Sequence, residues 1–327
     1  MRQASKFPPR LLCAALLAAA VITVHAQNYP DKPIRMIVGF PPGGGADIVA
    51  RVVAAPLAEW LATQIVIDNR PGAGSTTGTG VAAKAMPDGY TLLFATTSFT
   101  INPNLYKDVP YDPVKDFAPI AQVGSSPFVL VVQTAMPVNT LQELIALAKS
   151  KPLSLNYSTG GNGSTGHLAG ELFKSMAKIE IQHVPYKGLA AALTDLLGGR
   201  VQMTMSSLPS CINYVKAGRL KALAITTTKR LSAIPNVPTL SESGLSGYNV
   251  DQWYGLLTAV GTPRPIVQKL YRALTGFLRE PDAALTGHYA VLGVVPTLST
   301  PEEFTALIRS ELALWAKVVK DSGAKVD

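Results

Sequence analysis

Short apolar runs alternate with amphipathic segments along most of the chain, and turns rich in glycine or proline separate them. The first run, Ile34–Val38, is rich in β-branched residues and leads into a turn of prolines and glycines, so it predicts a strand. Apolar residues then recur at helical spacing over 48–57, and Asp47 stands where a helix-capping residue is expected. Pro56 lies inside this helical pattern and predicts a kink or a break near residues 52–55.

The same alternation continues to the end of the chain and predicts a two-lobed α/β fold. Further strands are predicted at 65–67, 91–95, 128–132, 153–157, 201–205 and 220–225. Further helices are predicted at about 79–85, 140–149 and 168–176, and after Pro265. The capping box Thr300-Pro301-Glu302-Glu303 predicts a last helix, whose apolar face runs to Val319. Alternating strands and helices indicate parallel sheets, and 327 residues suffice for two lobes.

The first 26 residues have the layout of a secretory signal. Three basic residues precede an uncharged run over 11–24, which ends in the small-residue sequence Val24-His25-Ala26. This run is shorter than the roughly 18 residues that a membrane-spanning helix needs. The alternative, an uncleaved membrane anchor, is less favoured because a polar sequence with a proline follows at 27–30. We therefore expect export to the periplasm, with cleavage after Ala26.

The formal net charge of +8 says little about partners once the position of the charges is considered. Three of the positive charges lie in the predicted signal and leave with it, which lowers the net charge to +5. The remaining basic residues are scattered, and no cluster is denser than 219–221 or 229–230. A nucleic-acid groove needs a concentrated basic stripe and aromatic rings, which here make up only 7% of residues. We expect no nucleic-acid partner.

Cysteine and histidine residues are too sparse to predict a disulfide or a metal site. Cys13 lies in the predicted signal, so Cys211 has no cysteine with which to pair. His167, His183 and His288 are far apart and have no companions at metal-ligand spacing. We expect neither a bound metal nor a cofactor.

Three glycine-rich loops carry the most informative chemistry. The turns at 41–47 and 158–166 each connect a predicted strand to a predicted helix, and 71–80 is a third polar loop. Glycine lets backbone N–H groups approach a ligand, and a helix N-terminus adds unpaired donors with a partial positive charge. Two such turns facing each other form a cleft suited to a carboxylate, with hydroxyl donors from Thr76, Thr77, Ser98, Ser158 and Ser164. The alternative is that these residues only make turns.

Enzyme motifs are incomplete in this sequence. No Lys-Ser/Thr pair follows the first glycine cluster, and the loop at 72–77 lacks the third glycine of a dinucleotide fingerprint. The sequence at 162–166 misses the first position of a nucleophile elbow around Ser164. His167 lies only three residues away, whereas the base of a triad comes from elsewhere in the fold. An exported hydrolase using Ser164, and a structural protein with a degenerate cleft, are the alternatives to a receptor.

Many short motifs occur together in the order that one known family shows. In the first part these are Tyr-Pro-Asp-Lys-Pro-Ile-Arg (29–35), Phe-Pro-Pro-Gly-Gly (40–44) with Asp47, Asn-Arg-Pro-Gly-Ala-Gly (69–74), Pro-Asp-Gly-Tyr-Thr-Leu-Leu (87–93) and Pro-Tyr-Asp-Pro (110–113). Later come Gly163-Ser164, His-Leu-Ala-Gly-Glu-Leu-Phe (167–173), Val-Pro-Tyr-Lys-Gly (184–188), Trp-Tyr-Gly (253–255) and Gly-Thr-Pro (261–263). Over 29 to about 323 the chain resembles the periplasmic solute-binding receptors of the tripartite tricarboxylate transporter family, the Bug or TctC-like receptors.

The resemblance implies a non-catalytic receptor with the two-lobed periplasmic-binding-protein (Venus flytrap, type II) fold, in which a two-strand hinge joins two parallel-rich sheets. With crossings near 121–127 and 250–258, the first lobe is expected at 27–124 plus 251–327 and the second at 125–250. A small organic acid would close the lobes, and a membrane permease or a sensor protein would recognise the closed form. We expect a monomer.

Ligand binding is assigned by this resemblance and by the glycine loops to eleven residues. They are Gly43, Gly44, Asp47, Ser75, Thr76, Ser98, Ser158, Gly163, Ser164, His167 and Ser206. Asp47 is expected to hold its loop and not to touch the anion. The chain departs from the family pattern at Gly39, where proline is usual, and at 205–207, where Met-Ser-Ser replaces a common Phe-Asp pair. The loss of that carboxylate favours an acid without an amino group.

Overall fold

The computed structural model describes residues 29–326, so the predicted secretory signal lies outside the described residues. The strands in chain order are β1 (Ile34–Val38), β2 (Ile65–Asn69), β3 (Thr91–Thr96), β4 (Phe117–Gln133), β5 (Asn156–Thr159), β6 (Gln182–Pro185), β7 (Met203–Ser207), β8 (Leu220–Ile225), β9 (Asp251–Ala259) and β10 (Val295–Pro296). The helices are α1 (Gly45–Leu61), α2 (Thr76–Ala83), α3 (Ser98–Leu105), α4 (Leu141–Ser150), α5 (Thr165–Ala177), α6 (Leu189–Leu197), α7 (Leu208–Lys216), α8 (Arg264–Leu278), α9 (Ala283–Leu292) and α10 (Pro301–Ser322). A short 3₁₀ turn, Ala73–Ser75, precedes α2.

Two sheets share the long strand β4. In the first lobe β2, β1 and β3 are parallel, and β9 and the first part of β4 continue the sheet in antiparallel pairing. In the second lobe β6, β5 and β7 are parallel, while β7 and β8 pair antiparallel with the second part of β4. β4 pairs with β9 as far as Pro127 and with β7 from Phe128 onward. The predicted two-lobed α/β fold is confirmed, with parallel strands at the outside of each lobe.

Helices cover both faces of each sheet. In the first lobe α1, α8 and α9 pack on one face, where Val49, Leu270 and Tyr289 are buried. In the second lobe α4 and α5 pack on one face, and α6 and α7 pack on the other. Helix α10 contacts both lobes, because Phe304 is buried with the first and Trp315 with the second. Within residues 29–326 no helix has the length and apolar content that crossing a membrane requires.

The predicted strands are confirmed, with bounds that shift by up to three residues, except that 128–132 is the end of the much longer β4. The capping box of the last helix is also confirmed: Thr300 accepts from the Glu303 N–H, and the Glu303 carboxylate accepts from the Thr300 N–H. At α4 only half of such a box forms. Thr140 accepts from the Glu143 N–H, whereas the Glu143 carboxylate accepts from Asn139.

Three predictions about the first helices are wrong. Helix α1 continues through Pro56, because burial of its apolar face, including Val53 and Leu57, stabilises the helix across the one missing hydrogen bond. Its N-cap residue is Gly44, so Asp47 lies in the first turn and does not cap the helix. Helix α2 begins at Thr76, three residues earlier than predicted, because its first turn consists of threonine and glycine without an apolar pattern.

Candidate functional site: a cleft where four helices begin

A cleft between the lobes is bordered by the first residues of four helices. Gly44 and Gly45 begin α1 in the first lobe, and Ser164 and Thr165 begin α5 in the second. Helix α6 begins there after Gly188, and α7 begins after Ser207. The inner cavity of the cleft is lined by Phe40, Pro41, Gly44, Gly45, Ala46, Phe128, Gly160, Ser164, Thr165, Gly188, Leu189, Ser207 and Gln252.

This arrangement gives the cleft a positive potential without a charged side chain. The first four N–H groups of a helix have no partner within the helix, and the helix dipole adds about half a positive charge there. Helices α1, α6 and α7 have no side chain that caps these donors. At α5 the Ser164 hydroxyl accepts from His167 N–H, and the Ser98 hydroxyl accepts from Thr165 N–H. The donors that stay open suit an anion with several acceptor atoms, such as a carboxylate.

In the first lobe a buried carboxylate holds the loop before α1. The Asp47 carboxylate accepts from the Gly43 N–H at 3.0 Å, from Asn69 Nδ2 at 2.9 Å and from Arg51 at 2.9–3.1 Å. Gly43 has φ +77°, a conformation that favours glycine. Burial raises the pKa of Asp47, but the hydrogen bonds from Arg51, Gly43 and Asn69 outweigh burial and hold that pKa below its usual value. Asp47 is therefore an anion whose acceptors point away from the cleft, into its own loop.

In the second lobe hydroxyl and imidazole groups hold the loop before α5. The Ser164 hydroxyl donates to the Gly161 carbonyl at 2.7 Å, and Gly163, at φ +73°, donates its N–H to His167 Nδ1 at 3.4 Å. His167 is buried, and burial lowers its pKa. The Ser164 hydroxyl bonds to two backbone groups, the Gly161 carbonyl and the His167 N–H, and not to the His167 ring.

The two lobes touch across the cleft. Tyr106 Oη donates to the Asn162 carbonyl at 3.1 Å, and the Ser98 and Thr165 hydroxyls are 3.2 Å apart. A Cβ on Gly74 would lie 2.6 Å from the Gly163 carbonyl carbon, so the first-lobe loop approaches the second lobe at backbone distance. The structure is thus a closed form.

An outer cavity joins the inner one at Phe40, Pro41, Gly160 and Gly188. It is lined on the first lobe by 71–75 and Tyr106, and on the second by 160–162 and 185–188. Lys187 is the one charged side chain among the described residues that line either cavity.

The predicted site residues occupy different places relative to the cleft. Gly44 and Ser164 line the inner cavity and Ser75 lines the outer one. Those that line neither cavity are Gly43, Asp47, Thr76, Ser98, Ser158, Gly163, His167 and Ser206. Ser158 Oγ is 2.6 Å from Thr204 Oγ1, and Ser206 Oγ donates to the Ser207 carbonyl at 3.1 Å. Both are buried hydroxyls with partners in the second sheet.

Several cleft residues were not among the eleven predicted ligand-binding residues, most notably Gly188 and Ser207. Gly188 stands between a strand and a helix, as Gly44 and Ser164 do, and Ser207 is the last residue of β7, directly before α7. A sequence signal existed for each: Gly188 precedes a leucine- and alanine-rich segment, and Pro209 follows Ser207 at a position typical of a first helical turn. Among residues 29–326 no three His, Cys, Asp or Glu side chains form a group that could hold a metal ion.

Comparisons with known proteins agree with this geometry. The sequence model described as "Tripartite tricarboxylate transporter family receptor" (TctC) matches residues 49–324. Protein BugT of Bordetella pertussis is 36% identical over 311 residues, which cover 94% of this chain and 95% of that protein.

Two similar solved structures are of proteins with an organic acid. "R. palustris Rpa4515 with adipate" is 36% identical, with a TM-score of 0.87 over 91% of this chain and 100% of that one. MatC from Rhodopseudomonas palustris with bound malate is 30% identical, with a TM-score of 0.84 over 89% of this chain and 100% of that one. Receptors of this family are periplasmic solute-binding proteins. The chain belongs to the tripartite tricarboxylate transporter receptor family.

Proposed function

We propose that this protein is a periplasmic receptor that captures a small organic acid between its lobes and presents the closed form to a membrane permease or a sensor. One observation carries the proposal: four helices begin at one cleft, three of them without a side-chain cap, and within residues 29–326 no charged side chain lines the inner cavity. Backbone N–H groups at helix N-termini bind carboxylates through hydrogen bonds and the helix dipole. The adipate-bound and malate-bound structures of relatives support this class of ligand.

The ligand that fits best has no ammonium group. A buried ammonium needs a compensating carboxylate, and among the described residues that line the two cavities there is no Asp or Glu. Two carboxylates of the described residues adjoin lining residues in sequence, and neither lines a cavity. Asp47, next to Ala46, already accepts from three partners in its own loop, and Asp251, next to Gln252, is the first residue of β9. A dicarboxylic or other amine-free acid is therefore favoured over an amino acid.

A receptor is favoured over a hydrolase because no imidazole in the described part of the chain is hydrogen-bonded to the Ser164 hydroxyl. The hydroxyl donates to the Gly161 carbonyl, and the nearby imidazole accepts from Gly163. A nucleophilic serine needs an imidazole within hydrogen-bond reach of its own hydroxyl.

The change of β4 from pairing with β9 to pairing with β7 between Pro127 and Phe128 supports a hinge at the predicted crossings. We further propose that the first lobe is 27–124 plus 251–327 and that the second is 125–250. The proposal also includes export with cleavage after Ala26 and a monomeric state.

The test is isothermal titration calorimetry of the purified protein with succinate, malate, adipate, benzoate, aspartate and glutamate, beside an ester-hydrolysis assay. We expect micromolar or tighter binding of at least one amine-free acid and no turnover. A Gly45→Leu variant should lose this binding, because a side chain at Gly45 would collide with Ser207 across the cleft. Gly287→Leu is the matched control, since a Cβ there meets no atom within 4 Å.

Three results would contradict the proposal. Hydrolysis that disappears in Ser164→Ala would identify an enzyme. Binding that is restricted to aspartate or glutamate would overturn the amine-free ligand. Tight binding that survives Gly45→Leu would place the ligand elsewhere.

A further inference from the structure

Two histidines lie behind the loop that precedes α5, on elements far apart in the chain. His167 is in the first turn of α5 and His183 is on β6. Their rings are stacked, with centroids 4.4 Å apart and an angle of 19° between the planes. Neither ring lines the inner or the outer cavity, so the proposed ligand contacts leave both without a role.

Each ring holds a different part of the loop. His183 Nε2 shares a hydrogen bond of 2.8 Å with Thr159 Oγ1, which also accepts from the Gly161 N–H at 3.2 Å. His167 Nδ1 accepts from the Gly163 N–H. Because glycine at these positions imposes no conformation by itself, the loop depends on such contacts for its shape. The residues held in this way adjoin Gly160 and Ser164, which line the inner cavity.

The His167 contact requires an uncharged ring, and burial of His183 disfavours a charge on the second ring. A backbone N–H can only donate, so His167 Nδ1 must keep its lone pair, and a proton there would face the Gly163 N–H. A second charge on the stacked ring 4.4 Å away would add repulsion in a buried place.

The charged and titratable neighbours give an imidazolium little compensation. Glu171 on α5 faces the pair, but its carboxylate already accepts from Tyr157 Oη at 2.5 Å and pairs with Lys174 at 2.8 Å. Tyr157 on β5 stacks on the other side of His183, with ring centroids 4.8 Å apart. Burial, together with smaller effects of the neighbouring His167 and Lys174, lowers the pKa of His183 to about 3.

We propose that His167 and His183 are positioning residues that hold the 158–164 loop in its anion-binding shape, and that they do so only while both rings are uncharged. The inference rests on the proposed function, because it treats this loop as one wall of the carboxylate site. It extends that function to a part of the molecule that does not touch the ligand.

The experiment compares His167→Leu with His167→Asn, since the asparagine Oδ1 can accept where Nδ1 did. Amide hydrogen exchange by mass spectrometry, without any ligand, reports the loop directly. We expect His167→Leu to speed exchange at 158–164 at least tenfold while the loop at 39–44 is unchanged, and His167→Asn to stay within about threefold of wild type. The exposed His288 provides the matched control pair, His288→Leu and His288→Asn, with no change.

Calorimetry with adipate and malate on the same variants separates this inference from the proposed function. Whichever acid binds the wild type should bind His167→Leu at least tenfold more weakly and His167→Asn nearly normally. If neither these nor the other acids bind the wild type, the proposed function fails, while the exchange data still decide the role of the histidines. Unchanged loop exchange in His167→Leu, or equal effects of the two variants, would overturn the inference.

Nitrogen-15 NMR of the histidine rings keeps the proposal testable if His167→Leu does not fold. At pH 7 the wild-type spectrum should contain a His167 ring protonated at Nε2 alone, assigned by its absence from His167→Asn. A His167 ring protonated on both nitrogens would overturn the proposal.

Discussion

The loops on the two sides of the cleft both lead into a helix N-terminus, but a charged group holds one loop in shape and neutral groups hold the other. In the first lobe the loop before α1 is held by a negative group, the Asp47 carboxylate, which collects an N–H from Gly43 and charge-assisted bonds from Arg51. In the second lobe the loop before α5 is held by neutral groups, a serine hydroxyl and two stacked imidazoles. Both loops end at a helix N-terminus that faces the cleft.

The difference between the two loops shows how an anion site can keep its positive potential: neither loop places a charged group beside the ligand. A carboxylate beside the ligand would repel it, and Asp47 avoids this because its acceptors are directed into the loop and Arg51 compensates its charge. Cationic imidazoles would attract the ligand but would lose the acceptor on which the second loop depends. Each loop thus keeps charge away from the ligand, and the helix N-termini provide the attraction.

Removal of the carboxylate should have the largest effect. We expect Asp47→Ala to lower the free energy of unfolding by about 2–3 kcal/mol, because Gly43 N–H and Asn69 Nδ2 lose their acceptor. Ligand affinity should fall at least tenfold, since the loop before α1 loses its support. Urea unfolding and calorimetry with the acid that binds best measure the two quantities.

Asp68→Ala is the matched control on the same lobe. Asp68 also pairs with arginines, Arg35 and Arg70, but it accepts no hydrogen bond from the loop before α1. We therefore expect Asp68→Ala to lower the free energy of unfolding by less than about 1 kcal/mol and to leave ligand affinity unchanged. Equal losses of affinity in both variants would show that net charge, and not the hold on the loop, is what Asp47 contributes.

Part of this comparison could be predicted from the sequence. The part that could not be predicted depends on contacts between residues far apart in the chain. The glycine turns at Gly44 and Ser164 are local patterns of strand, glycine and helix, so sequence was sufficient to find them. The contact of His183 with Thr159 joins residues 24 positions apart that meet only because β5 and β6 pair in parallel. Ser158 and Ser206 have hydroxyls as suitable as any for a ligand, but hydrogen bonds within the second lobe occupy them. Composition does not reveal which side of a strand faces the cleft.

Acid should weaken the second loop before the first. The pKa of His183 lies near 3 in the folded protein and near 6.5 in the unfolded chain, so the stability it contributes is complete above pH 6.5 and is lost as the pH falls toward 3. Asp47 has a pKa below 3.8 in the folded protein, so its contribution is present above that value and is lost only below it. Between pH 7 and 4.5 we expect the histidines to contribute a loss of about 2 kcal/mol. Protonation of Asp251, whose pKa burial raises to about 6, offsets part of this loss in wild type and variants alike.

Urea unfolding at the two pH values, on wild type and His183→Gln, measures this loss. Glutamine does not titrate, so the variant should lose clearly less stability on acidification, while His288→Gln should behave as wild type. An equal loss in wild type and His183→Gln would mean that the second loop is not the acid-sensitive side.

The smallest effect is expected at Lys187, the one charged side chain that lines the outer cavity among residues 29–326. It is exposed, and an exposed ion pair contributes about 0.2–1 kcal/mol, so Lys187→Met should weaken adipate binding by no more than about fivefold. Binding of hexanoate, which has one carboxylate, should change less than twofold, and Lys149→Met, an exposed lysine on α4, should change neither. Calorimetry at low and high salt measures both ligands. If Lys187→Met lowered the affinity for adipate fiftyfold or more, a side-chain charge would dominate recognition. The helix N-termini on the two sides of the cleft would then no longer explain how the anion is held.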